Sequence, residues 1–248
     1  MNVVIDWGNS SVKVGWFNGE TLHQTAHFDT IAALRRHLAG EPPAHVIVSS
    51  TSRPADDLRA ALADWGQTDW VLMTNQLPLP IGNAYDTPNT LGMDRLAAAV
   101  GATTLFPGQP CLVLDLGTCV TADFLDAEPT FRGGLISPGV QMRFRAMHEQ
   151  TARLPLIDMA GWQPATTGIW PPETATTTRQ AMMSGVLNGM LFELNGLIDT
   201  YRYRHPALRV LLCGGDAPVF ESRLKGPIFA VPELVLRGLN RILTYNVR

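Results

Sequence analysis

The chain has 248 residues, enough for one large or two small domains, with 46% hydrophobic residues and a mean hydropathy of +0.05. Its formal net charge is −3 and it carries no run of Lys or Arg, so a nucleic-acid-binding surface is not indicated. The cysteines, Cys111, Cys119 and Cys213, are odd in number and lie near apolar runs. They read as reduced thiols of a cytoplasmic protein, not as a disulfide framework. No stretch approaches the roughly 20 apolar residues of a membrane span, and no leader-like segment opens the chain, so no membrane association is expected.

In chain order, alternating β-type runs predict strands over 2–6, 11–17 and 21–28. Ile31–Leu38 has helical spacing, with Ile31, Leu34 and Leu38 on one side. His45–Ser50 and Trp70–Thr74 read as short strands, with a helix over 53–65 between them. Residues 77–90 carry Pro78, Pro80, Gly82 and Pro88 and read as a loop. Asp94–Leu105 is Ala-rich and helical, and Pro107-Gly108 ends it. A strand, turn and strand then begin at Cys111. Gly133-Gly134 to Pro138-Gly139 reads as a loop, Val140–Ala152 as a helix and 155–177 as irregular. Thr178–Tyr203 is a long helix, Val210–Cys213 a buried strand and Glu233–Leu243 a final helix.

The strongest signal is an internal echo. Residues 2–10 run apolar into Asp6-Trp7-Gly8-Asn9-Ser10, and residues 111–118 run apolar into Asp115-Leu116-Gly117-Thr118. Each run is followed by a second alternating stretch, Val12–Phe17 and Val120–Leu125. Both copies predict a hairpin whose glycine tip lets phosphate oxygens approach the backbone. In the first copy, Asn9 and Ser10 can donate to those oxygens, and Lys13 returns along the second strand as a point charge. Asp6 ends its strand at the same spot, and one carboxylate can suffice for Mg²⁺, which keeps several waters. Taken singly, the first copy could be an ordinary turn with a solvated Lys. The second copy, with Thr118 as a phosphate partner and Asp115 as a second strand-end carboxylate, favours two related α/β halves, 1–108 and 109–248, with a nucleotide cleft between them.

Two further groups stand out. Asp94 begins the Ala-rich helix beside Arg95. It is either a first-turn carboxylate complementing the helix dipole or a general base beside an anion-binding Arg. Leu212-Cys213-Gly214-Gly215 ends a buried strand in a pair that would permit close contact with adenine or ribose. The six histidines show no metal-ligand spacing.

Together these residues resemble the type III pantothenate kinases, within the actin/Hsp70/sugar-kinase superfamily. The resembling motifs are Asp6-x-Gly8-Asn9 with Lys13; Tyr85-x-x-Pro88 followed by Leu91-Gly92-x-Asp94-Arg95; and Asp115-x-Gly117-Thr118 with Thr121 and Asp123. They continue in order with Gly133-Gly134-x-Ile136-x-Pro138-Gly139, Thr151–Pro155, Thr178 before Ala181-Met182 and Gly185, Gly214-Gly215, and Leu234–Leu239. The resemblance implies an α/β fold of two ribonuclease-H-like, actin-like domains. It implies ATP-dependent phosphorylation of pantothenate to 4'-phosphopantothenate, the first step of coenzyme A synthesis. Asp94 would then be the catalytic proton acceptor. Tyr85, Gly92, Met93, Arg95 and Thr178 would bind pantothenate, although Thr178 could instead cap its helix. Asp6, Trp7, Gly8, Asn9, Ser10, Ser11, Val12, Lys13 and Thr118 would hold ATP. Asp6 would support Mg²⁺, Asp115 a monovalent cation (K⁺ or NH₄⁺), and two copies would form a homodimer. The alternatives are another small-molecule kinase of the superfamily, or a catalytically silent nucleotide-binding regulator on the same scaffold. Ser10, Cys119 and Cys213 depart from the family's usual Thr, Ala and Thr.

Overall fold

A computed structural model describes residues 1–8, 12–37, 42–50, 60, 65, 68–159 and 169–247. The strands β1 (Asn2–Trp7), β2 (Val12–Asn18) and β3 (Thr21–Phe28) come first, then helix α1 (Ile31–His37), β4 (His45–Ser50), β5 (Asp69–Leu72) and the two-residue β6 (Gly82–Asn83). A 3₁₀ turn over Pro88–Thr90 leads into α2 (Met93–Leu105). The chain continues through β7 (Cys111–Leu116), β8 (Cys119–Leu125), β9 (Thr130–Pro138), α3 (Val140–Glu149) and α4 (Thr178–Arg204). It ends with β10 (Arg209–Cys213), a short α5 (Ala217–Phe220), β11 (Phe229–Ala230) and α6 (Leu234–Asn246). The expected helix over 53–65 lies almost wholly outside the described residues.

Two compact units emerge. The first comprises Met1–Gln109, Phe124–Gly133 and Glu233–Arg248; the second comprises Pro110–Asp123 and Gly134–Pro232. They are not contiguous halves: two segments from beyond residue 109 group with the first unit. The last of these is α6, which packs on α2 and β1. The helices can approach closely because glycines meet backbone. A Cβ on Gly238 would run into the Ala97 carbonyl, and one on Gly101 would lie 2.5 Å from the Leu234 oxygen. The Ala-rich stretch of α2 is thus a contact surface, with Ala97, Ala98, Ala99 and Ala102 all buried.

The first unit's sheet has the order β3-β2-β1-β4-β5. β1 and β2 pair antiparallel, whereas β1, β4 and β5 run parallel. Alternation assigns one face to an apolar cluster of Val3, Ile5, Trp7, Val12, Val14, Val46 and Val48, joined by Leu34 and Trp65. The other sheet has the order β11-β10-β7-β8-β9-β6, so the run β9-β8-β7-β10-β11 repeats the first sheet's order element by element. Again the last three strands of that run are parallel. Each sheet thus has the strand order of an actin-like α/β domain, and the sequence echo is the trace of that repeat.

Two expectations are corrected. Gly133–Pro138 is strand, not loop. Glycine and proline argue against strand in general, but at Gly134 a Cβ would collide with the Ala122 carbonyl and come within 2.6 Å of Asp123 Oδ1. Only glycine lets β9 lie against β8 there. Second, α4 spans 27 residues and is long and apolar enough to cross a membrane by length and composition. Met182, Val186, Leu187, Met190, Leu194 and Ile198 are nevertheless buried within the protein, as in the core helix of a globular domain.

Candidate active site

Asp6 lies near the end of β1 and is buried. Its antiparallel partner in register is Lys13, and its parallel partner is Ser49. Register neighbours share a face of the sheet. Because Ile5, Trp7, Val12, Val14 and Val48 occupy the apolar face, Lys13, Asp6 and Ser49 form a polar row across β2, β1 and β4 on the opposite one. Asp6 and Lys13 therefore come together as expected; Ser49 was not anticipated. Its hydroxyl is fully buried and has no hydrogen-bond partner among the described residues. Trp7 and Val12 place their side chains in the core cluster, so only their backbones are left to face a ligand. Gly8 follows the strand, while Asn9, Ser10 and Ser11 lie outside the described residues.

The second group forms where α2 begins. Leu91 and Gly92 are extended, and Gly92 caps the helix without a side-chain bond. Asp94 sits in the first turn, where the helix dipole favours its charge. Its Oδ1 accepts the Arg95 backbone N–H at 2.9 Å. A Cβ on Gly92 would strike that same oxygen, so Gly92-x-Asp94 is one steric unit. The helix-end placement does not use up the carboxylate: one oxygen is pinned, and Oδ2 has no hydrogen-bond partner among the described residues.

Arg95 is only 7% exposed. Its guanidinium carbon lies 5.7 Å from the ring centroids of both Tyr85 and Phe131, and the two rings are 6.0 Å apart. Such faces attract a cation and fix its plane. The pairing of β6 with β9, Gly82 with Thr130 and Asn83 with Phe131, brings the Tyr85 loop beside Phe131. Asn83 Oδ1 then accepts the Tyr85 N–H at 3.0 Å. Gly133, at φ +91°, leaves room for the Tyr85 ring, which would lie 3.4 Å from a Cβ. Tyr85, Gly92, Met93, Asp94 and Arg95 thus form one cluster, to which the structure adds Phe131 and Gly133. Reading Gly133–Gly139 as a loop hid the strand that carries both; the alternation Phe131-x-Gly133 was the available signal.

In the second unit, Asp115 lies near the end of β7 and Thr118 is exposed on the turn to β8. That turn is clasped by glycines from two sides. Gly139 N–H donates to the Thr118 carbonyl at 3.1 Å, and a Cβ on Gly139 would strike the Gly117 oxygen. Gly214, at φ +93°, would place a Cβ 2.5 Å from Asp115 Oδ1. The closeness expected of Gly214 toward a ligand is therefore used by the chain's own turn, and only Gly215 has open space beside it. Asp216 N–H donates to the Leu116 carbonyl at 2.8 Å. Burial holds the Asp216 carboxyl above the ordinary aspartate range. Thr178 is the first residue of α4 and exposed; the helix is capped by Thr177, whose hydroxyl accepts the Gln180 N–H at 3.3 Å. The capping explanation thus belongs to Thr177 and leaves Thr178 available.

No group of three or more His, Cys, Asp or Glu is placed to hold a metal among the described residues. A cation here would rest on one carboxylate and its own waters. That suits Mg²⁺ and matches a buried Asp6 beside an unsatisfied hydroxyl.

Comparison with known proteins bears on the same residues. A family model described as type III pantothenate kinase matches residues 2–200. A type III pantothenate kinase of Cytophaga hutchinsonii is 45% identical over 247 residues, covering 100% of both chains. That of Phocaeicola vulgatus is 39% identical over 250 residues, covering 99% of both. Among solved structures, the activator of 2-hydroxyisocaproyl-CoA dehydratase from Clostridium difficile, with bound ADPNP, matches with a TM-score of 0.54 at 14% identity. It is covered over 93% of its length, and this chain over 99%. A glucokinase from an Antarctic psychrotroph matches with a TM-score of 0.52 at 12% identity, covering 98% of both chains. At such identities these structures speak for the fold alone.

Proposed function

The chain belongs to the type III pantothenate kinase family, and from that premise we propose how its own residues phosphorylate pantothenate with ATP, giving 4'-phosphopantothenate for coenzyme A synthesis. The observation that carries the assignment of roles is Asp94: a carboxylate with one oxygen pinned by its own helix, next to a buried Arg that lies against two aromatic rings. Asp94 Oδ2 takes the proton of the pantothenate primary hydroxyl. The hydroxyl oxygen bonds to the γ-phosphorus as the bond to the β–γ bridging oxygen breaks, and ADP leaves with that electron pair. Arg95, positioned by Tyr85 and Phe131, faces the substrate's anionic part. Gly92 and Met93 shape the pocket, and Thr178 adds a hydroxyl.

Phosphate binding is assigned to the turn from Asp6 to Lys13 and to Thr118. Mg²⁺ is assigned to Asp6 and a monovalent cation, K⁺ or NH₄⁺, to Asp115. Such ions supply charge neutralisation on the phosphates; alignment of donor and acceptor is the protein's task. We assign the active form as a homodimer in the cytoplasm. A face of α4 supports the dimer. Gly185, Gly189 and Gly196 have open space where a Cβ would stand, Phe192 is 63% exposed, and a cavity of about 480 Å³ is lined by Ser184, Gly185, Asn188 and Gly189. Light scattering of the purified protein should give twice the mass of one chain.

The deciding test is ADP release measured with pantothenate, with simple sugars and with no acceptor. Pantothenate-dependent release is expected. Release driven by a sugar would make the protein a different kinase, and nucleotide binding without turnover would make it a regulator.

A further inference from the structure

β4 reads His-Val-Ile-Val-Ser-Ser, and its buried positions are otherwise filled by Val46, Ile47 and Val48. A serine at a fully buried place in such a strand is out of keeping. Alanine would fill the same space without removing a hydroxyl from water, a removal that costs stability unless the hydroxyl is bonded. Ser49 makes no such bond: its Oγ is neither donor nor acceptor to any described residue. Native proteins keep few groups of this kind, and those they keep call for a ligand or water.

The position of Ser49 narrows the ligand. It lies in register beside Asp6 on the parallel neighbour strand, with Lys13 in register on the other side. A carboxylate only accepts hydrogen bonds, and a hydroxyl accepts as readily as it donates. A species that satisfies both neighbours at once must carry several hydrogens and tolerate negative charge. A phosphate oxygen could accept from Ser49 but has no hydrogen to give the Asp6 carboxylate; water bound to a divalent cation can donate to both.

We infer that the Ser49 hydroxyl belongs to the divalent-cation shell, accepting a hydrogen bond from a water of the ion that Asp6 supports. The stability given up in the empty protein is returned when the ion binds. This rests on the proposed role of Asp6, and the test separates the two.

The full-length protein is titrated with Mn²⁺ in the presence of a saturating non-hydrolysable ATP analogue. Free Mn²⁺ is read by electron paramagnetic resonance, and thermal unfolding of the metal-free protein is measured alongside. Ser49→Ala and the near-isosteric Ser49→Cys are compared with Asp6→Asn. Both Ser49 variants should bind Mn²⁺ roughly tenfold more weakly, the loss expected for one hydrogen bond in a charged setting. The metal-free Tm of Ser49→Ala should stay level or rise, because an unsatisfied buried hydroxyl has been removed. Wild-type Mn²⁺ affinity in Ser49→Ala, with affinity lost in Asp6→Asn, overturns the inference and leaves Asp6 in place. Unchanged affinity in all variants overturns both. Weaker binding that appears only with a lowered Tm marks Ser49 as structural and also overturns the inference.

Discussion

The two hairpin tips occupy equivalent places in sheets of the same strand order, yet they are built from different materials. In the first unit Asp6 is flanked by Lys13 and Ser49, with side chains defining the surface. In the second, Asp115 has Cys213 as its parallel neighbour, and the next residue, Gly214, folds back on the turn while Gly139 closes it from another side. The same device is repeated once with side-chain chemistry and once with backbone. A duplicated frame can therefore divide its labour. One copy keeps charged, partly unsatisfied groups at the cost of stability, and the other becomes a close-packed cradle whose donors are fixed.

The sharpest way to break this contrast is to remove one carboxylate charge from each unit. Asp94→Asn keeps the Oδ1 acceptor for the Arg95 N–H, so folding should be little affected. Loss of the proton acceptor should lower kcat by about 10²–10⁴-fold. Asp115→Asn should change kcat by less than roughly tenfold at saturating K⁺ and raise the K⁺ concentration needed for activation. Equal losses of kcat would show that both units take part in the chemical step. Retention of kcat in Asp94→Asn would remove Asp94 from its role.

A next largest effect is expected on stability. Gly214→Ala puts a Cβ against the Leu116 carbonyl and the Asp115 Oδ1 and forces an L side chain into φ +93°. The two penalties together should cost about 2–4 kcal/mol. Ser50 holds the matching register position in the first unit, beside Trp7, and its backbone is not in the left-handed region. Ser50→Ala should cost no more than about 1 kcal/mol. Urea unfolding of both variants measures the difference; a mild Gly214→Ala would mean that the turn can yield and is not a rigid cradle.

How far the sequence discloses this arrangement follows from what each feature depends on. Asp6 and Lys13 are close along the chain across one hairpin, so local alternation was enough to pair them. Ser49 meets Asp6 only through a parallel pairing some forty residues away, and nothing local marks a serine whose oddity is its burial. The pocket motif from Tyr85 to Arg95 is read directly, since 3₁₀ turn, glycine cap and first helical turn are consecutive. Its aromatic partner Phe131 arrives through β9, a strand concealed by glycines whose justification is contact with β8. Likewise Gly214 reads as open toward a ligand until the fold supplies the turn it touches. The fold class was legible because duplication repeats a pattern; the close contacts were not, because they are set by distant backbone.

The smallest effect concerns the starts of the same two strands. Asn2 in β1 donates through Nδ2 to Asn240 Oδ1 at 3.2 Å, a pairing without charge. At the equivalent place in β7, Cys111 is fully buried, and its thiol is pushed up from 9.0 to about 11 by burial, partly offset by Arg209. Below pH 9 the thiol is protonated in both folded and unfolded chains, so it adds no pH dependence. Between pH 9 and about 11 the unfolded chain releases this proton and the folded chain retains it. Stability must then fall as pH rises, by up to about 2–3 kcal/mol in total. Lys and Tyr groups titrate in the same window, so the comparison is with Cys111→Ala: less stable at pH 7 from the lost packing, but with a shallower decline from pH 9 to 11. Parallel stability curves for the two proteins would place the alkaline sensitivity elsewhere in the molecule.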